Sequence, residues 1–198
     1  MKSGDIKKTA VKLTAVVLGL LVIDLFFCGL FSPLPYRSLA PFKGKVVDAE
    51  TKQPIAGAVV LAVYESTAYT LAGDVGVIVD GRETLTDENG EFRLPRKRRW
   101  LVLRRGYPEG QLTIFKPGYG AFPWHERTTA VGENKAWPSP GKHILYELPK
   151  LHTITDRRDN VRFINRYNEI PHTQKQIYWD QVNNERKYVG LPLRTPDE

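Results

Sequence analysis

Few residues in this chain have the type and spacing that chemistry needs. The four histidines, His125, His143, His152 and His172, are scattered, and none has a second His or a Cys at metal-ligand spacing. Cys28 is the only cysteine, which excludes a paired-cysteine zinc site and an internal disulfide framework. Asp87, Asn89 and Gly90 are typical calcium-loop residues. Aligned to that pattern, however, Leu85 takes the first ligand position and Arg96 the last, which an EF-hand does not allow. Asp48 and Glu50 sit in a polar, turn-forming stretch with nothing to pair them for acid–base work. A nucleophile elbow, a phosphate loop and a dinucleotide fingerprint are all missing. An enzyme would have to assemble its site from separate groups such as His125, Glu126 and His143. No metal and no small-molecule cofactor is expected.

Two clusters are better suited to binding than to reaction. The first is Arg96-Lys97-Arg98-Arg99-Trp100 with Arg104 and Arg105. The net charge of +7 is unevenly spread: residues 32–95 carry −3, and residues 96–150 carry +7, with eleven basic against four acidic side chains. Basic residues interleaved with an aromatic suit a polyanion. The plainer reading is a solvated hairpin between Leu94 and Leu112, its arginines stacked on Trp100 or paired with the acidic first half. The second cluster is aromatic: Tyr119, Phe122, Trp124 and Trp137. Exposed, these form a platform for a glycan or peptide. Buried, they close the end of a core, the commoner use of such side chains.

The N-terminus decides which polyanion is available. Lys2, Lys7, Lys8 and Lys12 precede Leu13–Phe31, an apolar run broken only by Asp24. A bilayer needs about 20 such residues, and the lysines place residues 1–12 in the cytoplasm as a basic tail. A carboxylate at mid-membrane costs roughly 2.5–3.5 kcal/mol. Asp24 is read as a protonated residue in a segment that still inserts, or as a polar contact to a partner helix. Two other readings compete with the uncleaved anchor. One is a signal peptide cleaved after Ser38-Leu39-Ala40, which Pro41 opposes. The other is a lipoprotein signal at Cys28, which the bulk of Phe27 opposes. All three export residues 32–198 to the periplasmic or extracellular side. The basic cluster then meets anionic lipid or cell-wall polymer rather than nucleic acid.

The elements that must position these clusters read mainly as strands. Val46 and Val47 continue a β-branched strand from Gly44, and Asp48–Gln53 suits a turn. Ala58–Tyr64 is an uninterrupted apolar run of strand length, as in a central strand buried on both faces. Asn89-Gly90 supplies positive φ for a tight hairpin between Thr84–Thr86 and Phe92–Leu94. Leu112–Phe115 alternates and stops at Pro117-Gly118, and Ile144, Tyr146 and Leu148 alternate in a further strand. The period then changes. Thr153-x-x-Asp156 opens one helix carrying Val161, Ile164 and Tyr167. Pro171 opens a second, with a stripe of Ile177, Tyr178, Val182 and Val189, ended by Gly190. Two amphipathic helices must cover something, either a face of the sandwich or a partner.

Three of these segments, GKVVDAETKQPIAGAVV (44–60), TDENGEFRLP (86–95) and KPGY (116–119), resemble the carboxypeptidase regulatory-like domain, a transthyretin-like β-sandwich. The resemblance covers 42–122. It departs from the pattern in the long separation 65–84 and in the basic insertion Arg96–Gly110. It implies a seven-stranded, non-catalytic sandwich that accompanies or positions other molecules, and it transfers no active-site residue. A purine-catabolic hydrolase of the same architecture carries a C-terminal Tyr-Arg-Gly-Ser signature, which this chain lacks. The expected organisation is a tail 1–12, an anchor or signal segment 13–31, a linker 32–41, an antiparallel sandwich 42–150 and a helical extension 151–198. Core positions are expected at Val46, Val59, Leu61, Val63, Phe92 and Leu94. The expected function is a non-catalytic envelope domain that binds or positions a partner protein or glycan at the membrane.

Overall fold

The structure, a computed structural model, describes residues 12–19, 36–70, 73–100, 105–134, 138–164, 167 and 169–195. It is mainly β. Residues 12–19 are helical (α1). Then come β1 (Tyr36–Leu39), β2 (Phe42–Asp48), β3 (Val59–Thr70), β4 (Gly73–Leu85), β5 (Glu91–Leu94), β6 (Lys97–Trp100), β7 (Arg105–Phe115), β8 (Thr129–Ala130) and β9 (His143–Leu148). Two helices close the chain, α2 (Ile154–Phe163) and α3 (Gln176–Tyr188), with a 3-10 turn His172–Gln174 between them.

One sheet has the order β5-β2-β9-β8 and a second the order β4-β3-β7, while β1 and β6 form a separate pair. The two larger sheets face each other around one core. Phe42, Val46, Phe92, Ile144, Tyr146 and Leu148 from the first meet Val60, Ala62, Tyr64, Leu112 and Ile114 from the second. The other face of β3 and β7, carrying Val59, Leu61, Val63 and Phe115, packs against Val161, Ile164, Tyr178, Trp179 and Val182 of the helical segment. This explains the uninterrupted apolar run. β3 is the middle strand of its sheet, and both of its faces are covered, so neither parity can be polar. All six expected core residues are buried, but they serve two cores: Val46, Phe92 and Leu94 lie between the sheets, and Val59, Leu61 and Val63 lie under the helices.

Several expectations change. The sandwich is not wholly antiparallel: β2 and β9 pair in parallel, Lys43 opposite His143 through Asp48 opposite Leu148. A parallel pair needs a long crossover, and here the chain travels from β2 through the whole second sheet before β9. The segment 65–84 is not a long connection, because β3 and β4 extend as one hairpin from Val59↔Leu85 to Thr70↔Gly73. The linker 32–41 contains a strand, β1. Pro171 heads the 3-10 turn, and α3 starts only at Gln176. Its buried face carries Tyr178, Trp179 and Val182, while Ile177 is exposed.

Other local signals hold. Thr153 caps α2, its Oγ1 accepting from the Asp156 amide at 3.0 Å. Asp87 Oδ1 accepts from the Asn89 and Glu91 amides, and Gly90 takes φ 75°. A Cβ on Gly90 would also run into the Val46 carbonyl. Among the described residues no helix is long and apolar enough to cross a membrane. The expected span 13–31 is described only over 13–19, and the remainder, with Asp24 and Cys28, lies outside the described residues.

Candidate functional site

The basic segment is not the hairpin expected between Leu94 and Leu112. Its strand, β6, pairs with β1: Tyr36↔Trp100, Arg37↔Arg99, Ser38↔Arg98, Leu39↔Lys97. β2 and β5 pair with the same offset, from Phe42↔Leu94 to Lys45↔Glu91. Residues 36–48 and 91–100 therefore make one antiparallel ribbon, interrupted at Ala40-Pro41 and Pro95-Arg96. Pro cannot donate to a ladder, which accounts for the break at both prolines. The ribbon is held to the second sheet. Tyr64, buried, donates to the Ala40 carbonyl at 2.7 Å, and its hydroxyl is pushed up to about 12 by burial. Leu39 is fully buried.

The basic side chains separate in role. Lys97 Nζ lies 3.1 Å from Oδ2 of Asp80, whose side chain has no exposed surface, and Oδ1 of Asp80 has no hydrogen-bond partner. Lys97 is thus the counter-charge of a buried carboxylate and fastens β6 to β4. Arg96 and Arg98 are exposed and Arg99 is half-buried. Trp100 ends β6 and Arg105 opens β7, while Arg104 lies outside the described residues.

Beside β1 lies a groove of about 950 Å³, lined by Ser38, Ala40 and Pro41, by Glu109 and Gly110 of β7, by Arg96, and by residues 138–141. The 138–141 wall is fixed. Gly141 donates to the Pro41 carbonyl at 2.9 Å. Glu133 accepts from the Ser139 hydroxyl at 2.6 Å and from Lys142 Nζ at 2.9 Å, and these bonds hold its carboxyl down at about 2. Sequence reasoning missed Ser38, Glu109 and this wall. Only the Pro-Ser-Pro-Gly run at 138–141 hinted at a shaped loop, and no pattern joins it to β1.

The aromatic cluster does not form one face. Phe122 is fully buried, edge-on to Tyr146 at 5.1 Å, and belongs to the intersheet core. Tyr119 is half-buried against that core. Burial raises its hydroxyl, with Asp48 beside it adding to the effect. Trp124 is 43% exposed, and Trp137 lies outside the described residues. The platform reading therefore reduces to Trp124 with the edge of Tyr119.

The scattered polar groups stay apart. His143 opens β9 and meets Glu91 at 2.7 Å across β2. His125 packs on Gly120, whose amide bonds the Pro149 carbonyl beyond the far end of β9. At about 3.3 Å per strand residue that is roughly 20 Å away. Glu126 is exposed beside His125. Asp48, buried, uses its carboxylate in a turn. Burial acts to raise its pKa, but the Thr51 and Glu50 amides outweigh it and hold the group below the usual carboxylate range. Among the described residues no cluster of three His, Cys, Asp or Glu is placed to hold a metal ion. No family model, curated protein or solved structure matches the chain.

Proposed function

We propose that this chain is a non-catalytic, membrane-attached module of the cell envelope, built on a transthyretin-like sandwich of the carboxypeptidase regulatory-like kind. It presents a basic end to the membrane surface and holds a partner protein or glycan there. One observation carries the reading: β1, the first strand after the apolar segment 13–31, is paired rung for rung with the basic strand β6. Only residues 32–35 separate the end of that segment from Tyr36, a reach of about 14 Å at full extension. Whichever way residues 13–31 meet the bilayer, Arg98 and Arg99 are kept near its headgroups. Each cation near an anionic leaflet contributes about 1 kcal/mol at best. The transthyretin-like reading is supported by where the three quoted segments fall: on β2, its turn and the start of β3, on the Asn-Gly hairpin into β5, and on the turn after β7.

The test uses the full chain in nanodiscs of neutral lipid with and without phosphatidylglycerol. Hydrogen exchange of 97–100 should slow with the anionic lipid. The effect should vanish at high salt and in the double variant Arg98→Ser, Arg99→Ser. Equal exchange in both nanodiscs would reject headgroup contact. Lys97 is left intact because its loss would strand Asp80. The anchor itself is tested by mass spectrometry of membrane fractions, where a mature chain beginning at Cys28 or Pro41 would reject it.

A further inference from the structure

The outer face of the sheet β5-β2-β9-β8 gathers cations without counter-charges, and we propose that it binds an anionic glycan of the envelope, one bearing phosphate or carboxylate groups. This names the class of glycan in the binding reading above and rests on that reading. Strand alternation places the cations. Phe42, Phe92, Leu94 and Ile144 point into the intersheet core, so Lys43, Arg93 and His143 point outward, and all three are exposed. Lys43 lies opposite Arg93 on one side and opposite His143 on the other. The three form one row across β5, β2 and β9. Lys45, half-buried, follows on the same face of β2.

Like charges directly opposite each other destabilise a ladder, and no acid offsets this row. Lys43, Lys45 and Arg93 make no ion pair with the described residues. The carboxylates around them are engaged: Glu91, opposite Lys45, with His143 at 2.7 Å, Glu147 with Lys52 at 2.8 Å and Glu133 with Lys142 at 2.9 Å. Beside the row lies a hollow of about 310 Å³, lined by Lys43, Arg93 and His143, by Leu85, and by Asp87 and Glu91. That is the lower end of ligand-pocket volumes. Asp87 is taken up by the Asn89 and Glu91 amides, and Leu85, 43% exposed, offers apolar surface to a sugar ring. The row stands apart from the membrane end. Seven residues of ribbon separate Tyr36 from Lys43, roughly 23 Å at 3.3 Å each, whereas exposed charges are screened within about 10 Å. A polymer with repeated anions meets several of these cations at once, which raises its avidity.

The test uses the full chain in neutral-lipid nanodiscs and two fluorescein-labelled probes, oligogalacturonate and oligo(glycerol phosphate), with labelled dextran as the uncharged control. Anisotropy should rise with at least one anionic probe and not with dextran, and the binding should weaken as salt is raised. Lys43→Ser with Arg93→Ser should weaken it about tenfold, a difference near 1.4 kcal/mol. The charge-matched pair Arg127→Ser with Lys150→Ser, at the far end, should change it by less than about twofold. The thermal melt of the first pair should not fall, because two opposed like charges are removed. A loss of binding is then not a loss of fold.

Anisotropy indifferent to both anionic probes, or equal to that with dextran, would overturn the inference. An equal loss in the two variant pairs would reduce the binding to overall charge and overturn it as well. Tighter binding of labelled polyglutamate would assign the face to an acidic protein, and slowed hydrogen exchange of 43–45 and 91–93 in phosphatidylglycerol nanodiscs would assign it to lipid. Either result would also overturn it. Neutral lipid removes the headgroup contact, so the glycan result and the lipid-dependent exchange of 97–100 fail separately.

Discussion

Arg157 and Glu185 join the two terminal helices through two short bonds, Nε to Oε1 at 2.7 Å and Nη2 to Oε2 at 2.6 Å. The Glu185 side chain is 1% exposed, and Oε1 also accepts from the Gly118 amide. The hydrogen bond to Glu185 raises the guanidinium's pKa. Removing one partner of such a pair leaves a buried charge alone, so Arg157→Ala should cost about 3 kcal/mol in a urea melt. Replacing both residues by apolar ones should cost much less. Glu133 offers a pH test. Its ordinary value is 4.5 and its folded value about 2. The lowered value makes its bonds to Ser139 and Lys142 a stabilising contribution that is complete above pH 4.5 and lost as pH falls through about 2. Carboxyl NMR shifts should follow that midpoint, and Ser139→Ala should raise it. None of these pairings was legible in the sequence, because each joins groups whose proximity only the fold creates. What could be read was local: the Thr153 cap and the Asp87–Gly90 turn, where partner and residue lie within four positions.

At the scale of elements, strands announced themselves wherever one parity was apolar. Ile144, Tyr146 and Leu148 face the core while His143, Leu145 and Glu147 do not, and β9 was found by that alternation alone. β3 was recognised for the opposite reason, since helices cover its second face. Its buried run cannot say which parity faces which core, and Val59, Leu61 and Val63, buried as expected, lie under the helices rather than between the sheets. The sequence reads as linker over β1 because three prolines surround a short segment whose partner, β6, lies about 60 residues away. Local pattern cannot carry such a pairing. Leu39→Ala, at a fully buried position of β1, should destabilise the fold by about 2–5 kcal/mol by thermal melt. A true tether would tolerate it within about 0.5 kcal/mol.

Across the whole molecule, the strands align their ends. The starts of β2 and β9, the end of β5 and the β1–β6 pair lie at the end where the chain arrives from residues 13–31. The turns 49–53, 87–90 and 116–118 lie at the other. The two ends differ in charge pattern. At the far end Lys52 pairs with Glu147 and Arg127 with Glu50, whereas at the near end exposed Arg96 and Arg98 accompany Lys97, whose partner Asp80 is buried. Composition showed a basic half but could not give this direction, because β6 and β1 are brought together only by the long ribbon.

That ribbon also has a mechanical consequence. Tension drawn on the chain through residues 13–35 enters at Tyr36 and runs parallel to the strands, across rungs from Tyr36↔Trp100 to Lys45↔Glu91. Pulled lengthwise, hydrogen bonds perpendicular to the strands are sheared together rather than peeled one at a time. A sandwich moored in this way would hold its shape when tugged by its own attachment, giving way in one abrupt step. A pull applied between Tyr36 and Trp100, which sit side by side at the same end, would instead open the β1–β6 rungs singly, at much lower force.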